Sequence, residues 1–155
     1  MSERQEAVDQ RRYVVGVDGS AESLEALRWA VTEARAHQGG DVRAVLVWTV
    51  PYQGLATSMT PEPYGLPEVT TLEEQARSRL ASAIDGVGDT SPVVVHPEVR
   101  EGQAAGVLLE LSREADLVVV GSRGHGGFTS LLLGSVSAQV VRHAHCSVVV
   151  VRPPS

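Results

Sequence analysis

The chain has 155 residues, of which 43% are apolar, and this length and composition favour one globular domain over a disordered segment. All 13 lysine-plus-arginine positions are arginine, which excludes a Walker-type phosphate loop and a Schiff-base lysine. A net charge of −6 predicts that the protein binds neither nucleic acid nor an anionic membrane surface. The single cysteine, Cys146, excludes an internal disulfide, and its place at the start of an apolar strand predicts a structural role.

The N-terminal residues 1–12 are polar and carry both signs of charge, so we interpret them as a flexible leader ahead of a domain at 13–152. They lack the apolar centre of a signal peptide. The chain also contains no run of about 18 apolar residues, the length that a membrane-spanning helix needs. Together these features predict a cytoplasmic protein.

Short apolar strands alternate with amphipathic helices along the domain. The predicted strands are 13–17, 42–50, 92–99, 116–121 and 146–151. The first predicted helix is capped by Ser20 and ends at Gly39-Gly40. The other predicted helices are 69–84, 104–115 and 136–143. Residues 51–67 hold four of the eight prolines and predict a long irregular loop. Continuous apolar strands joined by helices predict an α/β fold, a doubly wound five-stranded parallel sheet with helices on both faces.

Acidic residues follow the first strand, where the next helix begins. Asp18 closes that strand and has two interpretations, a ligand contact or an Asx turn that leads into the helix. Its neighbours favour the ligand role. Glu22 and Glu25 lie in the first turns of the helix, where the helix dipole favours negative charge.

A glycine-rich segment runs from Gly121, at the end of the fourth strand, to Ser135, at the start of the last helix. Backbone N–H groups in a strand, loop and helix start of this kind can hold phosphate, and the helix dipole assists. Arg123 offers a forked donor, and Ser135 adds a hydroxyl. The dinucleotide fingerprint Gly-x-Gly-x-x-Gly is not met, and the alternative interpretation is that these glycines only form turns.

Three separated blocks of the sequence resemble the ATP-binding subgroup of universal stress proteins. That subgroup's motif is glycine, two residues, glycine, nine residues, glycine, then serine or threonine. The motif is met by Gly121, Gly124, Gly134 and Ser135. The segments 16–20 and 146–152 agree with the family as well. Because the resemblance covers nearly the whole chain, it identifies 13–152 as a universal stress protein nucleotide-binding domain.

The resemblance implies the strand order 3-2-1-4-5, which sets Asp18 and Gly121 beside one cleft at the carboxyl edge of the sheet. It implies that ATP binds there with Mg²⁺, with Asp18 near the ribose or the metal, Gly121 against the ribose and the backbone of Thr49 at the adenine. Two positions depart from the family pattern, namely Gly16, where proline occurs, and Trp48, where histidine is common. The candidate ATP-binding residues are Gly16, Asp18, Thr49, Gly121, Arg123, Gly124, Gly134, Ser135 and Val136.

The function that the resemblance implies is a dimeric, nucleotide-gated regulatory switch of stress physiology, with an unidentified protein partner and at most slow ATP hydrolysis. The last strand, Cys146 to Val151, is apolar on both faces and would lie at a sheet edge, so we expect a homodimer in which two such strands pair. One alternative is a slow ATPase or nucleotidyl-group transferase that uses Asp18, Arg123 and His125. Another is a structural dimer whose site is empty or binds AMP or a cyclic nucleotide.

Overall fold

The computed structural model describes residues 10–50, 69–124 and 132–154. Its elements in chain order are β1 (Arg11–Gly16), α1 (Ala21–Ala36), β2 (Gly40–Trp48), α2 (Val69–Val87), β3 (Val94–Glu101), α3 (Ala104–Leu111), β4 (Leu117–Gly121), α4 (Ser135–His143) and β5 (Ser147–Val151). Every predicted strand and helix is present. The predicted loop at 51–67 lies outside the described residues.

The five strands form one parallel sheet in the order β3-β2-β1-β4-β5. This confirms the predicted α/β fold and the strand order 3-2-1-4-5. The order reverses at β1, because β2 pairs with one of its edges and β4 with the other. The carboxyl ends of these three strands therefore meet at the switch point, where ligands bind in open parallel sheets.

Successive residues of β1 are buried against helices on opposite faces of the sheet. Val15 packs in one cluster with Leu27 of α1 and Leu80 of α2. Its neighbour Val14 packs on the opposite face with Leu108 of α3 and with α4. Side chains alternate along a strand, so a sheet covered by helices on both faces needs apolar residues at every position. This is the physical reason that the strands read as unbroken apolar runs.

The predicted start of α1 is confirmed, whereas its end is not formed as predicted. The hydroxyl of Ser20 caps the helix by accepting a hydrogen bond of 3.2 Å from the backbone N–H of Ser23. At the other end, Gln38 takes the left-handed conformation with a φ of 65°, and the N–H of Gly39 donates to the carbonyl of Ala34 at 2.9 Å. A left-handed residue just past the last turn terminates the helix, and here Gln38 takes that position instead of the predicted Gly39-Gly40 pair. The N-terminus of α1 is thus capped by the chain itself.

All five strands differ from the sequence prediction by one or two residues at a boundary, and the shifts of β1 and β2 have a physical reason in the structure. β1 begins at Arg11, so Arg11 and Arg12, which we had assigned to the leader, lie in the sheet and pair with the start of β2. Both are charged and exposed, which is why an apolar pattern does not include them. β2 ends at Trp48, whose carbonyl accepts a hydrogen bond of 2.9 Å from Gly102, so Thr49 lies beyond the strand.

Helix α3 is shorter than predicted and ends at Leu111 instead of Ala115. The hydroxyl of Ser112 donates to the carbonyl of Leu109 at 2.6 Å and accepts from the N–H of His145 at 3.0 Å. These bonds tie the end of α3 to the segment before β5. Ala115 is buried although it lies beyond the helix, and this is why the apolar sequence pattern continues past the end of α3.

The starts of β1 and β4 are joined by a side chain as well as by the backbone. The N–H of Arg12 donates to Oδ2 of Asp116 at 2.8 Å, and the N–H of Asp116 donates to the carbonyl of Arg12 at 2.9 Å. The Arg12 guanidinium adds an ion pair, with Nε 3.3 Å from Oδ2. The hydrogen bond from the Arg12 backbone, followed by the one from its guanidinium, lowers the pKa of Asp116 below its ordinary value.

We therefore expect Asp116→Asn to destabilise the protein only where the carboxylate is charged. A carboxyl whose pKa is lower in the folded state stabilises the fold above its unfolded pKa of about 3.9, and that contribution is lost as the pH falls through the folded pKa. Because both side chains are partly exposed, the loss near neutral pH should be about 1 kcal/mol or less. Urea unfolding at several pH values measures it. A difference from wild type that stayed constant from about pH 6 to about pH 3 would contradict this account.

Candidate functional site

A cavity of about 370 Å³ opens at the carboxyl edge of the sheet, where β1, β2 and β4 end. Its volume lies within the range of about 300–1,000 Å³ that is usual for small-molecule sites. Its lining is of two chemical kinds. The apolar part comes from Val17, Val45, Val47, Val120, Ala104 and Leu108. The polar and glycine part comes from Gly16, Asp18, Ser23, Gly121, Arg123, Gly124, Gly134, Ser135 and Ser137, and Val136 adds a further apolar side chain beside it.

The start of α4 contributes the most backbone to the polar part. Its N-cap, Gly134, supplies no side-chain oxygen, so among the described residues this helix start has no cap from its own N-cap residue. The first helical hydrogen bond runs from the N–H of Ala138 to the carbonyl of Gly134 at 3.0 Å. The N–H groups of residues 135–137 precede that bond and border the cavity. An uncapped helix start with a positive dipole end is suited to an anion.

The helix start is fastened to the end of β4 by Ser122. The carbonyl of Ser122 accepts hydrogen bonds from the N–H of Gly134 at 2.7 Å and from the hydroxyl of Ser137 at 2.9 Å. Ser122 and Ser137 are both buried. The uncapped end of α4 is therefore held at a fixed position relative to the sheet.

Asp18 forms the Asx turn that the sequence left as one of its two interpretations. Its Oδ1 accepts hydrogen bonds from the N–H of Ser20 at 2.9 Å and from the Ser20 hydroxyl. Its Oδ2 lies on the side of Gly124, at 2.4 Å from the position that a Cβ on Gly124 would take. The turn thus uses Oδ1 of the carboxylate, while Oδ2 lies beside Gly124.

Gly121 allows the first turn of α1 to touch the end of β4. A Cβ on Gly121 would lie 2.8 Å from the Cβ of Glu22 and 2.9 Å from its carbonyl carbon. Distances this short are not tolerated between a Cβ and backbone, so only glycine fits here. This contact is not predictable from the sequence, because spacing along the chain carries no information on how closely two elements approach.

Arg123 and Glu22 form a pair that the sequence analysis also missed. Nη2 of Arg123 lies 3.8 Å from Oε1 of Glu22, and both side chains are largely buried. Arg123 is the one basic side chain among the described residues that line the cavity. The helix-dipole explanation for Glu22 considers only its place in α1. The sequence signal that could have predicted the pair is that α1 and the glycine-rich segment both begin at the carboxyl edge of the sheet.

Eight of the nine candidate residues lie in the cavity lining: Gly16, Asp18, Gly121, Arg123, Gly124, Gly134, Ser135 and Val136. Thr49 is exposed and is not among the lining residues, whereas Val45 and Val47 of β2 are. Neither valine was a candidate site residue, because an apolar strand residue that borders a cavity has the same sequence pattern as one that only packs in the core. His125 lies outside the described residues. Contacts between any of these residues and a nucleotide stay predictions.

No multi-ligand metal cluster is present in the described part of the chain, and the one cysteine is partly buried. Within residues 10–50, 69–124 and 132–154, no three His, Cys, Asp or Glu side chains gather as they would around a bound metal. Cys146 packs against the core cluster beneath α3 and α4, and burial raises the pKa of its thiol. In the same ranges, no helix has both the length and the apolar character to cross a membrane.

The universal stress protein family model matches residues 10–152. The chain belongs to the universal stress protein family. It is 42% identical over 151 residues to a universal stress protein of Mycolicibacterium smegmatis, in an alignment that covers 96% of this chain and 48% of that protein. The chain therefore spans about half the length of this family relative.

Solved structures of the universal stress protein family share the fold. Universal stress protein UspA from Lactobacillus plantarum is 25% identical, with a TM-score of 0.67 that covers 92% of this chain and 97% of that one. A universal stress protein in complex with cAMP is 26% identical, with a TM-score of 0.66, covering 91% and 96% of the two chains.

The close contact at Gly121 in this universal stress protein predicts a large effect of one methyl group. Gly121→Ala would force the Cβ into the backbone of Glu22, and we expect a loss of about 1–3 kcal/mol in the free energy of unfolding. Gly106→Ala is the matched control. No described atom lies within 4 Å of a Cβ at Gly106, an exposed position in α3, so we expect a gain of about 0.5–1 kcal/mol.

Thermal or urea unfolding of both variants measures the difference. Equal stability of Gly121→Ala and wild type would mean that α1 and β4 are not in contact at this position.

Proposed function

We propose that this chain is an ATP-binding regulatory module that acts as a dimeric, nucleotide-gated switch for a regulatory protein partner. The observation that carries the proposal is the uncapped start of α4, which borders a cavity at the switch point of the sheet. The family likeness to a universal stress protein in complex with cAMP supports a nucleotide as the ligand. With no lysine in the chain, backbone N–H groups carry most of the phosphate binding.

The two kinds of lining suit the two parts of a nucleotide. In this proposal the base lies against Val45, Val47 and Leu108, which offer an apolar surface. The phosphates lie beside the glycine loop and the N–H groups of 135–137. A backbone contact from Thr49 to the adenine stays a prediction, and it would have to come from an exposed residue beyond the end of β2.

Asp18 is the residue that would hold Mg²⁺. Mg²⁺ in nucleotide sites is usually bound by one or two carboxylates together with phosphate oxygens and waters, so a single carboxylate fits this requirement. Oδ2 of Asp18 lies beside Gly124, within the same cavity. When bound, the ion would neutralise part of the negative charge of the phosphates. The Asx turn to Ser20 holds the carboxylate in place without the metal.

We expect at most slow ATP hydrolysis. Fast phosphoryl transfer needs a residue that positions the attacking water and a strong cationic clamp on the phosphates. Arg123 is the basic residue that the described cavity lining offers, and it lies beside the carboxylate of Glu22. These contacts favour the binding module over the alternative of an ATPase or nucleotidyl-group transferase that uses Asp18, Arg123 and His125.

ATP affinity should depend most on the two glycines that border the phosphate position. A Cβ on Gly124 would lie 2.4 Å from Oδ2 of Asp18, so Gly124→Val fills the space between the loop and the carboxylate. Gly134 has a φ of −70°, which valine adopts without strain, and a Cβ there would lie 3.4 Å from the Cα of Arg123, so Gly134→Val tests crowding between the helix start and the residues after β4. Each lost charge-assisted hydrogen bond costs about 1.5–3 kcal/mol, and we expect each variant to bind ATP at least about tenfold more weakly.

Calorimetric titration of ATP with Mg²⁺ measures these affinities. Ser135→Ala is the matched control at the same helix start, and it should lose less because its backbone N–H remains. Asp18→Ala should weaken binding while the fold is kept. If wild type binds no ATP at millimolar concentration, or if the valine variants bind as tightly as wild type, the proposed function is wrong.

We also propose that the homodimer forms by antiparallel pairing of two β5 strands. Two facts support this. β5 pairs with β4 on one side, and within the described residues no strand covers its other side. Val148 to Val151 are only partly buried, although they are apolar on both faces. An uncovered apolar edge favours association, and pairing about a two-fold axis removes it.

A proline at position 150 would remove an N–H from the outer edge of β5 and leave the edge that pairs with β4 intact. The carbonyl of Val151 accepts a hydrogen bond from the N–H of Ser122, so alternate residues 147, 149 and 151 point their backbone groups at β4. The N–H of Val150 then points outward. Val150→Pro should give a folded monomer, whereas the control Val150→Thr keeps the N–H and the dimer. Light scattering with circular dichroism tests this, and a wild-type monomer at high micromolar concentration would contradict the dimer.

A further inference from the structure

We propose that Glu22 lowers the affinity of the cavity for phosphate-bearing nucleotides, because its carboxylate competes with their phosphates for the guanidinium of Arg123. Glu22 would then be a specificity-determining residue that does not itself line the cavity. The inference rests on the proposed function, since it concerns which nucleotides the same cavity prefers. It differs from the dipole explanation, in which Glu22 affects only the stability of α1.

The distance between Arg123 and Glu22 indicates an interaction of charges without a hydrogen bond that would orient the guanidinium. The 3.8 Å between Nη2 of Arg123 and Oε1 of Glu22 is an ion-pair distance and is longer than a hydrogen bond. Glu22 therefore offers Arg123 a negative charge without fixing the direction of its donors. The side chains of Glu22 and Arg123 are 19% and 31% exposed, so solvent screens this pair less than it screens a pair on the open surface.

Glu22 cannot move far from the cavity, because its backbone is held on two sides. Its Cβ and carbonyl carbon occupy the space that a Cβ on Gly121 would need, at the end of β4. The start of α1 is fixed in addition by the cap from Ser20 to Ser23 and by the turn at Asp18. An anion that enters beside Arg123 therefore meets the negative charge of Glu22 behind the lining, and Asp18 adds a negative charge within the lining itself.

The consequence is a penalty that depends on ligand charge. A phosphate must share Arg123 with Glu22 and is repelled by it, whereas a neutral nucleoside is indifferent to both effects. Removing the charge of Glu22 should therefore strengthen the binding of AMP and ATP and leave adenosine unchanged. The gain should shrink as salt is added, since ions screen the repulsion.

The test is calorimetric titration of adenosine, AMP and ATP, with Mg²⁺ and at low salt, into wild type and Glu22→Gln. We expect AMP and ATP to bind at least about threefold more tightly to the variant, with adenosine unchanged. Glu25→Gln is the matched control. Glu25 lies on the same helix and pairs with Arg28, outside the cavity lining, so its loss of charge should change no affinity.

Two further variants keep the inference falsifiable. Glu22→Asp keeps the charge but withdraws it by one methylene, and should give an intermediate affinity for AMP and ATP. In the Arg123→Gln background, the gain from Glu22→Gln should be smaller. Unchanged or weaker phosphate-nucleotide binding by Glu22→Gln, or an equal gain for adenosine or in Glu25→Gln, would overturn the inference and leave ATP binding standing. No binding of any nucleotide by wild type would overturn both.

Discussion

The contact between the start of α1 and the end of β4 is the constraint on which the site depends. At Gly121 the backbone of Glu22 occupies the space that a side chain would need. This lets the β1–α1 turn, with Asp18, approach the loop after β4, with Gly124. It also sets Glu22 beside Arg123. A bulkier residue at 121 would separate the two halves of the cavity, so one glycine links the packing of the sheet to the chemistry of its edge.

Helix starts at this sheet edge differ in how their N–H groups are satisfied. α1 has its own cap in Ser20, and the Asx turn of Asp18 precedes it. α4 has Gly134 as its N-cap and no side-chain cap, yet its position is fixed by bonds to Ser122. Orphan donors that are held in place and border a cavity are available to a ligand at little conformational cost. That difference is the physical basis for assigning the anion to α4 and not to α1.

The fold class could be predicted from local patterns, because apolar runs specify a covered parallel sheet. The strand order and most of the site came from the family resemblance, whose glycine motif includes Gly121, Gly124, Gly134 and Ser135 of the cavity lining. Contacts between distant elements could not be predicted in this way. The sequence does not tell that Glu22 pairs with Arg123, or that Val45 and Val47 border a cavity as well as packing in a core cluster. Thr49 was proposed from family likeness, and the end of β2 at Trp48 leaves it exposed.

The central claim is that backbone N–H groups at the start of α4 bind the phosphates. Amide nuclear magnetic resonance measures this directly, by titrating ATP with Mg²⁺ and, separately, adenosine into the labelled protein. The account predicts that the amide signals of residues 134–137 shift with ATP far more than with adenosine, while the amide of Ser23, already bonded to Ser20, shifts little. Signals at 134–137 that stay unmoved by ATP, or that move equally with adenosine, would contradict it.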